Sequence, residues 1–242
     1  MSVDVNPQIG QGNFDTLVTF TNPIISVAIN NFELGNCQAL QYNPALPGTA
    51  HLFPDDYLSQ LYSRMKSALI LERTMCGMAD LSHNAIVTHL AGKPLFALVE
   101  WNPSHTQFQT LGFAWIVAWI GTPPLAPGPR SAFAAYAFFP DAWGSPEAEV
   151  LAMLGLSRMF HTYSLQSMYG QRYIRNALTA RFMSRFGFKD IAVLPDFLMY
   201  RSCNGVRLGA CVVSRLDHFD FSNYVTSQLV GLDGLDGLDG SG

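Results

Sequence analysis

Glu100 is the lone acid in the apolar run Leu95–Pro103, LFALVEWNP. A carboxylate buried there would have a raised pKa, which is what a general base taking a proton from an amine requires. On an alternating strand the same residue simply faces solvent. Arg181 and Arg185 stand four apart in a helical pattern and so share one face, where such a pair commonly forms a solvated stripe. They belong to a basic block, Arg172–Arg215, with seven arginines and one lysine against two aspartates; a block of this kind can face phosphates. Asp217, His218 and Asp220 follow the last strand pattern with no placed nucleophile and read as a polar exit loop. His105 and His161 are isolated. Cys37, Cys76, Cys203 and Cys211 show neither CxxC nor metal-ligand spacing with the histidines. Cys203 and Cys211 flank an expected hairpin, which leaves a bridge open, although reduced cytosolic thiols fit the pattern better. No P-loop, no G-x-G-x-x-G opening a helix, no HExxH and no G-x-S-x-G occurs.

The elements that must position these residues can be read from periodicity and punctuation. Leu17–Thr21 and Ile24–Ile29 are β-prone, split by Asn22-Pro23, and GNCQALQYNPALPGT up to Thr49 has no clear period. Pro54-Asp55-Asp56 opens a helix whose apolar spacing continues to Glu72. Strands are expected at Pro94–Trp101, Gly112–Ile120 and Ala132–Phe139. The last two are joined by TPPLAPGPR, which cannot pair inside a sheet. Ser145-Pro146-Glu147 starts a helix to about His161, with Ser as N-cap and Pro at the first helical position. A strand at Met168–Tyr173 leads to a helix at Asn176–Phe186, closed by Gly187. Strands at Lys189–Arg201 and Val206–Leu216 then flank Cys203-Asn204-Gly205, with Asn204-Gly205 as the turn. Strand alternation puts Trp115 and Trp119 on one face with Phe113. This divides the chain into an arm with first strands (1–50), a mixed α/β domain with helices packed on its sheet (51–220), and a disordered Gly/Leu/Asp tail (221–242).

Composition bounds the class. Hydrophobic residues make up 49% and charged residues 13% of the 242, about half the usual ~25% charged share. So few charges leave apolar surface that a partner chain or a second copy could cover. The acidic net charge of -4 argues against general nucleic-acid binding. The N-terminus has neither a basic start nor an apolar run, and Leu111–Gly121 is too short to span a bilayer.

The element order, with NALTARFMSRFGF (Asn176–Phe188), resembles the GNAT N-acetyltransferase superfamily, where N-x-x-A-x-x-L-Y-x-x-x-G-F is common here. Asn176, Gly187 and Phe188 match; Thr179, Phe182 and Met183 stand for the alanine, leucine and tyrosine. The resemblance covers about Leu95–Leu216 and implies a GNAT-like acyl-CoA N-acyltransferase fold. It also implies acetyl-CoA in a notch between two splayed parallel strands, with the pyrophosphate on the backbone N–H groups of the following helix. A helix N-terminus suits that ligand through its unpaired donors and partial positive charge.

Alignment with the family's Q/R-x-x-G-x-G/A loop puts Trp143 at the Gln/Arg, Pro146 at the first glycine and Ala148 at the last position. The cofactor-binding set implied is Trp143, Gly144, Ser145, Glu147, Ala148 and Asn176, with Arg181 and Arg185 for the CoA 3′-phosphate. Proline removes one donor and fills space, and Glu147 adds negative charge where the ligand brings more. Met183 cannot protonate a thiolate as the family's tyrosine does, which leaves Tyr173 or Tyr163 as stand-ins beside Glu100 as base. The resemblance therefore implies an acetyltransferase-like protein of weak or lost activity. The other reading is a non-catalytic GNAT-fold structural or interaction protein. Degenerate relatives of that kind occur in bacteriophages, so the expected location is cytoplasmic or virion-associated.

Overall fold

The computed structural model describes residues 33–43, 52–75, 77–121, 130–202 and 205–233. The strands expected at Leu17–Thr21 and Ile24–Ile29, most of the proline-rich connection, and Asn204 lie outside these residues. Among the described residues the elements are β1 (Glu33–Leu34), β2 (Cys37–Tyr42), α1 (Tyr57–Ser67), α2 (Leu71–Thr74), α3 (His83–Ala91), β3 (Leu95–Trp101), β4 (Phe108–Gly121) and β5 (Arg130–Phe138). A 3-10 turn at Pro140–Ala142 then leads to α4 (Pro146–Tyr163), β6 (Leu165–Tyr173), α5 (Ala177–Arg185), β7 (Lys189–Ser202), β8 (Gly205–Asp217) and α6 (His218–Asp233).

The strands form one sheet in the order β1-β2-β3-β4-β5-β6-β8-β7. Every neighbouring pair is antiparallel except β5 and β6, which the crossover helix α4 makes parallel. Apolar runs such as LFALV in β3 are buried throughout because helices cover both faces. On one face α1–α3 contribute Tyr57, Leu61, Met65, Ile86 and Leu90 against Leu95, Ala97, Phe113 and Trp115. On the other, Leu156, Met159 and Phe160 of α4 join Phe186, Phe221 and Val225 over Ile116, Ala132, Met168 and Leu216. The N-terminal half of α4 leans across β2 and β3, where Leu151 and Leu154 meet Ala39 and Leu98. Gly155 permits that approach, since a Cβ there would stand 2.9 Å from Leu98 Cδ2.

Several expectations need correction. Trp115 and Trp119 lie on opposite sides. The register between β4 and β5 shifts between Ile116 and Ala118, and this bulge at Val117 reverses the alternation. Trp115 stacks on Phe113 at 5.4 Å, whereas Trp119 meets Tyr163 on the α4 face. The first helix ends at Ser67 rather than continuing to Glu72, because Leu69 takes a positive φ of 57° and is exposed. The aperiodic stretch before it contains β2. Helix α3, capped by Ser82 accepting from the Ala85 N–H, fills a segment with no assigned element. Ser202 pairs with Gly205, so Gly205 belongs to the β8 ladder rather than to the turn. Where a polar exit loop and the start of a tail were expected, α6 runs to Asp233. The β7–β8 hairpin and the helix at α5 are as read, with Phe186 fully buried and Phe182 packed against the core.

Candidate functional site

The sheet opens between β5 and β6. Their parallel register runs only from Arg130↔Leu165 to Phe133↔Tyr169. Beyond it β5 stays paired with β4 as far as Phe138, and β6 with β8 as far as Tyr173. The two strands are held by opposite neighbours and so diverge into a notch.

Side chains of the chain itself fill the α4–α6 side of this notch. Phe138 of β5 meets Phe182 of α5 edge-on at 5.9 Å, and Phe182 meets Phe186 at 5.0 Å. Met183 lies on Gly170 of β6, where a Cβ would come within 2.5 Å of the methionine methyl. Arg185 of α5 reaches Glu149 in the first turn of α4 at 3.0 Å. Both charges are exposed enough for that pair to contribute no more than about 1 kcal/mol, so the rings and Met183 do the closing. Behind them Tyr224 of α6 packs on Phe186 at 5.3 Å. Burial, followed by the nearby Glu149 carboxylate, raises the Tyr224 pKa, against the opposing charge of Arg185. Tyr136, also on β5, is half-buried against Gly155; its buried hydroxyl has no hydrogen-bond partner among the described residues, and burial raises its pKa strongly.

The two helix starts are capped from within. Ser145 Oγ accepts from the Ala148 N–H at 3.2 Å, and Asn176 Oδ1 accepts from the Thr179 N–H at 3.1 Å. Of the donors a phosphate would use at α4, Pro146 has none, that of Ala148 is engaged, and Glu147 and Glu149 place two carboxylates in the first turn. Gly144 turns with φ 78°. Trp143 is exposed and donates its indole N–H to the Phe138 carbonyl at 2.9 Å.

Glu100 and Tyr173 are not brought together. Glu100 pairs with Cys37 and Gln109 on the α4 face of β3. With Glu147 it adds to burial, the larger cause, in raising the Cys37 thiol to about 11. Tyr173 ends β6, opposite Cys211, on the face shared with Tyr169 and away from Gly170 and Met183. Tyr163 sits at the far end of α4 beside Phe96 and Trp119, its hydroxyl accepting from Gln41. Arg181 lines a surface cavity of about 360 Å³ with Arg172, Met183 and Asp190. Cys37 and Cys211 carry free thiols. Among the described residues no cluster of metal-ligating side chains occurs, and no helix is long and apolar enough to cross a membrane.

The residues missed from the sequence are those that close the notch: Phe138, Glu149, Gly170 and the anchors of α6. The signal for α6 was available as His218, Phe221, Ser222 and Val225, at the i, i+3, i+4, i+7 spacing of one helix face. His218 stacks on Phe160 at 5.1 Å, and burial, then the charge of nearby His161, lowers its pKa from 6.5. The folded state thus takes up this proton less readily than the unfolded chain. The effect on stability is nil well above pH 6.5, and stability falls as pH drops through that value. Urea midpoints at pH 7.5 and 5.5 are expected to differ more for the parent than for His218→Phe, which keeps the stack and loses the titration. Equal differences would refute it.

No protein-family model matches the chain and no curated protein is similar to it in sequence. Solved structures are similar in fold. The spermidine/spermine N-acetyltransferase SpeG from Vibrio cholerae, in E33Q and E41Q mutant forms, superimposes with a TM-score of 0.55 at 12% identity, over 78% of this chain and 98% of that one. The ribosomal-protein-S5-alanine acetyltransferase from Vibrio fischeri gives 0.55 at 13% identity, over 78% and 97%. Mycobacterium smegmatis RimJ in complex with CoA-disulfide gives 0.51 at 14%, over 71% and 82%. The chain therefore has the GNAT acyl-CoA N-acyltransferase fold.

Proposed function

We propose that this chain is a non-catalytic GNAT-fold protein that works through contacts with other chains. The carrying observation is the filled notch: Phe138 against Phe182, and Met183 on Gly170, in the fold that in similar proteins serves acetyl transfer. Acetyl-CoA does not fit the residues present. Its pyrophosphate would meet Pro146, an engaged Ala148 N–H and the carboxylates of Glu147 and Glu149. Met183, which stands where the resemblance implies a tyrosine, offers no proton to a departing thiolate. Exposed apolar side chains on the β7–β8 side, Ile191, Val193, Phe197 and Leu208, supply surface for a contact role.

The test is thermal unfolding with and without CoA and acetyl-CoA. A functional site at a hundredfold excess over Kd would stabilise the fold by about 2.7 kcal/mol, an easily measured rise in Tm. No rise is expected at millimolar ligand. A rise of several degrees would overturn the reading and return the chain to the acyltransferases, with Glu100 and the α4 N-terminus as the first residues to replace.

A further inference from the structure

We propose that a groove between α1 and the β3–β4 hairpin binds the proline-rich segment Thr122–Pro129 of a second copy of this chain. This names a partner for the contact role argued above and rests on that role. The groove is a cavity of about 570 Å³ on the α1–α3 face, within the size range of small-ligand sites. One wall is α1, through Tyr57, Gln60 and Arg64; the other is the hairpin, through Trp101, Gln107 and Phe108. Trp101 and Phe108 pair across the hairpin with their rings edge to face at 5.1 Å, and both are half-buried, so the ridge they form keeps accessible surface. The ridge is held in place beforehand. Gln38 accepts from the Trp101 indole N–H at 2.8 Å, His105 stacks on that ring at 6.1 Å, and Asn102 Oδ1 accepts from the Thr106 and Gln107 N–H groups. Extended proline-rich segments dock in aromatic-lined grooves of this kind, because their PPII conformation is already formed and loses little entropy on binding.

The chain itself carries such a segment. Thr122–Pro129 reads TPPLAPGP, with Pro124-Leu125-Ala126-Pro127 as a P-x-x-P motif and no charged residue. The groove suits a neutral occupant, since the charge of Arg64 in its lining is answered by Asp141 at 2.6 Å. The same copy cannot supply the segment. Its two ends are tied where Gly121 pairs with Arg130, whereas the groove lies beside Phe108 at the opposite end of β4. The 14 residues of β4 separate these ends by about 40 Å at ~3.3 Å per residue. A segment of eight residues held at both ends reaches out only about 15 Å, the span of four extended residues. The donor is therefore a second copy. Groove and segment lie at opposite ends of one strand, so the contact is head-to-tail and repeats into an open chain or closes into a ring.

Light scattering on the full chain tests the assignment, with a mass above the monomer expected at high micromolar concentration. Pro124→Ala/Pro127→Ala, which keeps the length of the segment, and Trp101→Ala, which removes half of the ridge, are each expected to be monomeric. Mixed one to one they are expected to form heterodimers and nothing larger, because one brings an intact groove and the other an intact segment. A synthetic peptide of residues 121–130 is expected to bind the parent and dissociate its assembly. The same peptide with alanine at 124 and 127 is expected to bind at least tenfold more weakly, a comparison that does not depend on how well Trp101→Ala folds. A monomeric parent, an assembly that survives loss of the two prolines, folded variants that form no heterodimer, or equal binding of the two peptides would each overturn the inference. Binding of unrelated proline-rich peptides by a monomeric parent would assign the groove to another protein and overturn it as well. Thermal unfolding with CoA separates the two readings. A Tm rise in a parent that assembles would overturn the non-catalytic reading and leave the groove standing, and a monomeric parent without a rise would do the reverse.

Discussion

Phe160→Ala is expected to lower the unfolding free energy by about 3–5 kcal/mol, the range for removing a large buried ring whose surroundings cannot collapse. Phe160 is 1% exposed in the last turn of α4, with its ring faces toward His218 and Phe221 at interplanar angles of 24° and 22°. The sheet beneath is fixed by ladders on both sides of β6, so neither Leu165 nor Met168 can move up to fill the void. In urea the midpoint should fall with an unchanged slope, because the surface exposed on unfolding is the same. A loss below about 1 kcal/mol would mean that α6 does not pack on this ring.

That ring also marks where reading the sequence reached its limit. Phe182, Phe186 and Gly187 were legible because one amphipathic helix and one glycine cap carry their own local signals. The β7–β8 hairpin was legible from its two strand patterns, although the Asn-Gly signal put Gly205 in the turn when it pairs with Ser202 in the ladder. The side of Trp119 was not, since a bulge is set by tertiary pairing and a single extra residue reverses the alternation beyond it. Helix α6 was missed because Asp217, His218 and Asp220 read as an exit loop, although His218, Phe221, Ser222 and Val225 carry a helical period; only the partners Lys189, Phe160 and Phe186 were beyond the sequence's reach. The candidate site divides similarly. Pro146 in the α4 loop and Met183 on α5 were the sequence's grounds for expecting a weakened cofactor site. The filling of the notch depends instead on Phe138 and Gly170, two strand residues whose role exists only once α5 lies over them.

The same dependence makes Gly112 the position where a small change should reach furthest into the notch. Gly112 pairs with Leu98 on one side and Phe138 on the other, next to the register shift at Leu98/Val99. A Cβ there would stand 2.7 Å from the Ala137 carbonyl oxygen and 2.7 Å from the Phe138 ring. The ring can turn; the carbonyl is held in the sheet and cannot. Gly112→Val therefore forces β4 and β5 apart at the mouth of the notch, an overpacking penalty of about 1–3 kcal/mol and near the upper end here because backbone must move. For a chain of this length that is a fall in Tm of about 2–4 °C per kcal/mol. Phe138 should lose its edge contact with Phe182, so hydrogen exchange in α5 should rise more than in α1–α3, which pack on the opposite face. Uniform loosening across both faces would show that Phe138 is not what holds α5 over the notch.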